Sequence, residues 1–251
     1  MCIRDRSISG TTICTVSGLS TTQWTRVEIA TTANIAASTT VNVFVWPNTT
    51  SYENNASVLL WGAQFEAGSG ASSYIPTGAS TGSRAYDHCY ATGANFTSWF
   101  STGAGTVIAV SDNTKVNTQN LTAMISDGTL NNQVRMGRGL GGSSNEYLLT
   151  TVGGSGAFQG TADSGYNPPL NTVYKMAYAW DTNNFAVVVN GGSAVADTSG
   201  TLAGAGVLTQ LVVGLDFVSS PLDIYSKNGH IRSLKYYPTR LTNAQLQALT
   251  T

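Results

Sequence analysis

Charge is what this sequence has least of. Only 10% of its 251 residues are Asp, Glu, Lys or Arg, where about a quarter is usual. Lys and Glu, the staple residues of exposed helices, number four each, which argues against a helical protein. The net charge is −1 and no basic run occurs. The chain therefore lacks the clustered cations that displace counterions from a phosphate backbone, and no nucleic-acid partner is predicted. No apolar run reaches the roughly 18 residues that a spanning helix needs, so no membrane span is predicted. Cysteine is scarce too. Cys2, Cys14 and Cys89 are odd in number and widely spaced, which builds neither a disulfide framework nor a zinc site. They read as buried free thiols.

What is abundant is small and polar. The chain holds 34 Thr, 26 Ser and 27 Gly, residues of strands, hairpins and polar loops. An all-β protein follows, long enough for two domains.

Residues 7–77 read as part of one β-sandwich. Trp24–Ile29, Val41–Trp46 and Val58–Phe65 are its strand candidates. In the last of these, Leu59, Trp61, Ala63 and Phe65 share one face while Gln64 and Glu66 share the other. That alternation predicts a half-buried antiparallel strand with Trp61 and Phe65 in the core. Gly68 stops it, and Pro76 holds Tyr74–Thr77 extended. Three or four strands cannot close a sandwich, so this part is expected to be marginal or to lean on its neighbour. Residues 1–6, Met-Cys-Ile-Arg-Asp-Arg, have no apolar stretch of signal-peptide type. They resemble a translated sequencing-adaptor remnant, which would make them a non-native start to a truncated first module.

Residues 78–94 read as a polar linker, and 95–251 as a second, complete sandwich. Gly105–Val110, Asn132–Met136, Glu146–Val152 and Leu211–Phe217 are strand candidates, and Met124–Thr129 carries an Asp-Gly turn. Tyr174, Met176, Tyr178 and Trp180 alternate on one face. Asp181–Asn184 and Asn190-Gly191 supply turns on either side of the returning strand. A strand from Gly229 ends at Pro238. After it, Thr242 with Gln245 fits a capping box and Leu241 with Leu246 a hydrophobic staple, predicting one short closing helix.

Two sets of residues carry a family resemblance. Trp61-Gly-Ala-Gln-Phe-Glu66 followed by Tyr74-Ile-Pro-Thr77 resembles the last strand and exit of a carbohydrate-binding-module-like jelly roll in bacteriophage tail-fibre proteins. Ser98-Trp-Phe with Gly105-Thr106, Val189-Asn-Gly191 and the tail from Gly229 resemble the concanavalin A-like (laminin G-like) domain of phage tail and collar proteins, with Phe100 where Tyr is frequent. The resemblance implies an antiparallel β-sandwich of concanavalin A-like type, with a partial second sandwich at the N-terminus and a short C-terminal helix. It implies a non-catalytic virion component that contacts host-surface glycan and other virion subunits. Phage fibres are commonly homotrimers, but no coiled-coil heptads occur here, so a trimer would rest on other segments. A secreted bacterial carbohydrate-binding or adhesion module and a polysaccharide depolymerase are the two alternatives.

Reactive constellations are missing from the pattern. Gly78-Ala-Ser-Thr-Gly82 fits a nucleophile elbow by letter but lies in the linker with no helix after it. Gly137-Arg-Gly-Leu-Gly-Gly142 likewise lacks the βαβ setting of a dinucleotide site. Only Glu146 among the four glutamates lies in the second domain, so a hydrolytic carboxylate pair is hard to build. No cofactor is predicted. Oxygen ligands for calcium abound, but the aspartates read as turn residues and no spacing supports a site. His88 and Cys89, as strand neighbours, face opposite ways, and His230 reads as structural. Sugar recognition uses flat rings flanked by amides and hydroxyls, which leaves Trp99, Tyr147, Tyr166 and Trp180 as the candidate carbohydrate-binding residues.

Overall fold

The computed structural model describes residues 2–7, 10–15, 19–28, 43–46, 57–65, 73–82, 89–100, 103–114, 119–139, 144–153, 158–204, 206–215 and 226–251. The chain divides into two compact units, Met1–Arg84 and Ala85–Thr251.

In the first unit, β1 (Cys2–Ser7) lies between β2 (Gly10–Thr15) and β3 (Val43–Trp46), antiparallel to both. The residues read as a non-native start thus hold the centre of this sheet. Two strand expectations fail here. Trp24–Glu28 and Val58–Phe65 are described without strand pairing. Trp61 is 72% exposed, and Trp24, Leu59 and Phe65 are exposed as well. Alternation fixes which side chains could share a face, but a strand also needs a partner for its backbone. Instead the Trp61 ring tilts against Tyr74, centroids 4.8 Å apart. The Ile75 N–H donates to the Gln64 side chain at 2.7 Å. The run holds a local aromatic contact, not a core.

The second unit is a sandwich of two antiparallel sheets. Its elements in chain order are β4 (Cys89–Thr92), α1 (Ala94–Thr97), β5 (Gly105–Ser111), β6 (Asn120–Ser126), β7 (Gln133–Arg138), β8 (Glu146–Thr151) and β9 (Phe158–Asp163). They continue with β10 (Tyr174–Trp180), β11 (Phe185–Val189), β12 (Val195–Asp197), β13 (Gln210–Val213), β14 (Ile231–Tyr237) and α2 (Asn243–Thr250). One sheet runs β12-β11-β10-β5-β14 and the other β4-β13-β6-β7-β8-β9. The stretch read as a linker over 78–94 therefore contains a sandwich strand, β4; four residues carry too little alternation to show it. Cys89 on β4 is free and exposed, which corrects its reading as a buried thiol. His88, Asp216 and Asp223 lie outside the described residues, as do the side chains of Cys2 and Cys14.

The core between the sheets is built by period two. Tyr174, Met176, Tyr178 and Trp180 of β10 share one face, as the sequence predicted, and that face points in to meet Ala123, Ile125, Val134, Met136 and Leu148 from the facing sheet. The opposite face of the five-stranded sheet carries Ile108, Ala177, Ala179 and Val188, and α2 covers it with Leu246. The capping box at Thr242 and Gln245 is present in full. Asn190 and Gly191 both take positive φ, 48° and 68°, as the tight hairpin after β11 requires. No helix among the described residues is long and apolar enough to cross a membrane.

Trp180 sets one sharp packing constraint. Its partner across the ladder is Gly105, and a Cβ there would lie 2.4 Å from the indole ring. Ala at 105 must displace a ring that is walled in by the core, so Gly105→Ala is expected to cost roughly 1–3 kcal/mol. Urea unfolding of the two proteins checks this; an unchanged midpoint would show that the indole has room to move.

Candidate functional site

The four predicted ring residues do not converge. β10 runs from Tyr174 to Trp180, and they separate to its two ends. At the Trp180 end, α1 and the turn after it place Phe96, Trp99 and Phe100 beside Tyr236 of β14. Trp99 meets Phe96 edge-on at 5.1 Å and Tyr236 at 5.2 Å, and Phe96 stacks on Phe100 at 4.5 Å. Trp99 keeps 37% exposure, its indole N–H donating to the Asn95 carbonyl at 2.6 Å. Trp180 is only 1% exposed and donates to the Gly103 carbonyl at 3.0 Å. That corrects its place among the sugar-stacking candidates. A strand end is not a surface when a glycine opposite it admits the ring.

The other end holds Tyr147 and Tyr166. Along β8 the even positions face the core and the odd ones face outward. Tyr147 is therefore on the outer face of the six-stranded sheet, packed over the Leu121, Met124 and Leu149 cluster. Its hydroxyl donates to Asp163 Oδ2 at 2.6 Å, and Asn145 Nδ2 donates to the same oxygen at 3.2 Å. Asp163 Oδ1 accepts from the Gly165 N–H at 2.8 Å. The turn that follows carries Tyr166, whose hydroxyl accepts from Asn190 Nδ2 at 3.4 Å and whose ring stands 6.4 Å from Tyr174. Both tyrosines are partly exposed. A ring fixed by a carboxylate, with an amide beside it, is the kind of surface that can stack on a pyranose and bond its hydroxyls.

Behind this surface lies a buried polar network that sequence reasoning did not assemble. Glu146, on the inward register of β8, is fully buried. Tyr174 donates to its Oε1 at 2.7 Å and Tyr178 to its Oε2 at 2.7 Å. Burial, with the carboxylate of Glu146 alongside, pushes both phenols well above the ordinary tyrosine range, so they stay donors. Asn113 Nδ2 donates to the Tyr174 hydroxyl at 2.8 Å, and Lys227 Nζ donates to Asn113 Oδ1 at 2.7 Å and to the Tyr174 hydroxyl at 3.3 Å. The signal available in the sequence was that Tyr174 and Tyr178 share a face with Met176 and Trp180. Two phenols on a core face need a buried partner. With both oxygens committed and no solvent contact, Glu146 has no geometry for general-acid work on a glycosidic bond.

The remaining aspartates sort as expected, with one exception. Asp127, Asp163, Asp181 and Asp197 each accept from a nearby turn N–H. Asp112 instead is buried, accepting from the His230 backbone N–H at 2.9 Å and from Arg232 at 2.8 Å. The His230 ring, itself largely exposed, places Nδ1 3.0 Å from the same carboxylate. This confirms a structural place for His230, tying the start of β14 to the end of β5. Among the described residues, no three His, Cys, Asp or Glu side chains gather as a metal site.

The chain matches no protein-family model and no curated protein. Several solved structures resemble it. Domain 4 of a GH43 extracellular arabinanase from Geobacillus stearothermophilus, solved in complex with arabinotriose, is 19% identical. It aligns over 61% of this chain and 69% of its own, with a TM-score of 0.45. The CBM40 of a Ruminococcus gnavus IT-sialidase, bound to α2,3-sialyllactose, is 14% identical over 60% of this chain and 84% of its own, with a TM-score of 0.49. A SAP-like pentraxin from Limulus polyphemus is 17% identical over 61% and 73%, with a TM-score of 0.43. The β-sandwich itself rests on the sheet topology and not on these likenesses.

Asp112 gives the β5–β14 seam a pH dependence. Burial alone would raise its carboxyl pKa, but the backbone and ring bonds of His230 and the bond from Arg232 outweigh that and hold it below 3.8. A carboxyl depressed in the folded state stabilises the protein above its unfolded pKa, and that stability is lost as pH falls through the folded value. Urea midpoints are therefore expected to fall more steeply below about pH 4 in the wild type than in Asp112→Asn. Parallel curves would remove the His230–Arg232 clasp from the acid response.

Proposed function

We propose that this chain carries a non-catalytic glycan-binding domain, in residues 85–251, of a protein that works outside the cell as a carbohydrate-binding or adhesion module. The observation that carries the proposal is the Tyr147 ring on the outer sheet face, fixed by Asp163 with Asn145 beside it. A sugar lying there would stack on the ring and meet carboxylate and amide at its edge. Tyr166, on the adjoining turn, is partly exposed and packs against the inter-sheet core beside Tyr174. Trp99, at the far end of the sandwich, is a separate stacking ring. The burial of Glu146 supports the non-catalytic half of the proposal, since the one glutamate of this unit is spent on two core phenols.

A virion setting is the second reading. It rests on the sequence resemblance to phage tail proteins of the Trp61–Thr77 run, of Ser98–Phe100 with Gly105-Thr106, of Val189–Gly191 and of the tail from Gly229. Contacts with other virion subunits and a homotrimer belong to that reading alone. Co-purification of the chain with phage particles would favour it, and secretion by a bacterium would favour the first.

A glycan array with the full chain tests the binding site, with arabinotriose and sialyllactose among the probes. Binding is expected, and Tyr147→Ala is expected to weaken it roughly tenfold, about 1.4 kcal/mol, while Trp180→Phe leaves it unchanged. No glycan above background would overturn the proposal and leave a structural role. Release of reducing ends from a polysaccharide would establish an enzyme instead.

A further inference from the structure

The most unusual contact in the sandwich is between an amine and an amide. Lys227 Nζ lies 2.7 Å from Asn113 Oδ1 and 3.3 Å from the Tyr174 hydroxyl, with the Tyr174 ring beneath it, 5.5 Å to the centroid. Asn113 is fully buried. The Asn113 amide is held from both ends, since its Nδ2 donates to the Tyr174 hydroxyl at 2.8 Å. That hydroxyl in turn donates to Glu146 Oε1 at 2.7 Å. An amine, a fixed carboxamide and a relay to a buried carboxylate are thus joined in one chain of hydrogen bonds. Lysine amines act as nucleophiles when burial strips them of solvent.

We propose that Lys227 and Asn113 condense into an intramolecular isopeptide bond with loss of ammonia. The neutral Nζ swings out of the amide plane and its lone pair attacks Asn113 Cγ. The Nζ–Cγ bond forms, the Cγ–Nδ2 bond breaks, and Nδ2 leaves as ammonia. The proton that Nζ sheds is the one that Nδ2 gains. The Tyr174 hydroxyl, which touches both nitrogens, passes it. Glu146, which touches neither, is a positioning residue that polarises Tyr174 and lends it a carboxylate to trade protons with. No oxidant, reductant or further reactant enters.

The surroundings move the amine toward its neutral form. Burial pulls Lys227 down to about 8, against the opposing pull of Glu146 and Asp112, and Arg138 adds to the lowering. The neutral fraction then rises about tenfold between pH 7 and 9, and the rate of bond formation should follow it. The product would tie the segment after β5 to the segment before β14, 114 residues apart. A covalent closure of that length constrains the unfolded chain as a disulfide would, in a unit whose described cysteine is unpaired.

Mass spectrometry of the full chain, purified and then denatured, tests the proposal. The expected result is a mass lower by one ammonia and a proteolytic fragment joining the peptides of Asn113 and Lys227. Lys227→Arg and Asn113→Ala should each restore unlinked peptides, and each should melt below the wild type. When chains recovered unfolded and still unlinked from denaturant-solubilised aggregates are refolded, Glu146→Gln should abolish the joined fragment and Glu146→Asp partly rescue it, and the wild type should form it about tenfold faster at pH 9 than at pH 7. Unlinked peptides from folded wild type held at pH 9 would overturn the proposal. So would loss of ammonia without a joined fragment, as a succinimide at Asn190-Gly191 or Asn228-Gly229 would give. Equal linkage in the wild type and Glu146→Gln would overturn the role given to Glu146.

Discussion

A carboxyl group inside a β-sandwich must find donors for both oxygens or it destabilises the fold by several kcal/mol. Glu146 is that group here, and its solution fixes much else. Tyr174 and Tyr178 reach it from the opposite sheet only because β10 places alternate residues on one face and β8 faces it in the right register. The two hydroxyls thereby bridge the sheets at one end of the core, where apolar contact alone would set no alignment. Trp180 and the Gly105 gap fix the other end by shape. Between a polar bolt and a steric one, β10 has no freedom to slip.

That arrangement divides the molecule by chemistry. Glu146 is drawn inward, to a network of core phenols. Around Tyr147 the surface holds a ring, an amide and a carboxylate whose positions are already set. Asp163 illustrates the point. Its oxygens are taken up by Tyr147, Asn145 and the Gly165 N–H, so it orients a ring and does not act as a base. On the proposed reading, a sugar there is held by stacking and by fixed hydrogen bonds.

How far the sequence could be read depended on whether a signal was self-contained. The β10 alternation, the Asn190-Gly191 turn and the Thr242–Gln245 capping box are local, and each appears as its residues dictate. The Trp61 run has the same period-two signal, yet among the described residues no strand pairs with it. Alternation says which face is apolar and nothing about what will cover it. β9 failed in the opposite way. Gly160 weakens its pattern, and the reason for that glycine is Phe185, whose ring would lie 2.5 Å from a Cβ there. Such a residue is dictated by a neighbour 25 positions away. The site was harder still. Tyr147 and Asp163 are cross-strand partners on β8 and β9, and with β9 unread their pairing could not be seen.

The same logic explains why Lys227 and Asn113 drew no attention in the sequence. One follows a core strand and the other precedes an edge strand, each among polar neighbours that read as loop. Only the closure of β14 against β5 brings them together, and the same closure buries Asp112 under His230 and Arg232. Two clasps therefore hold one seam. The outer one is ionic and titrates in acid. The inner one sets a partly buried lysine against a buried amide, with no direct carboxylate partner among the described residues. The cation there has no direct carboxylate contact among the described residues, only the Asn113 carbonyl, the Tyr174 hydroxyl and ring, and the more distant fields of Glu146 and Asp112, and burial outweighs them. Burial brings the neutral amine within reach near pH 8, and an amine held against an amide is a reactant.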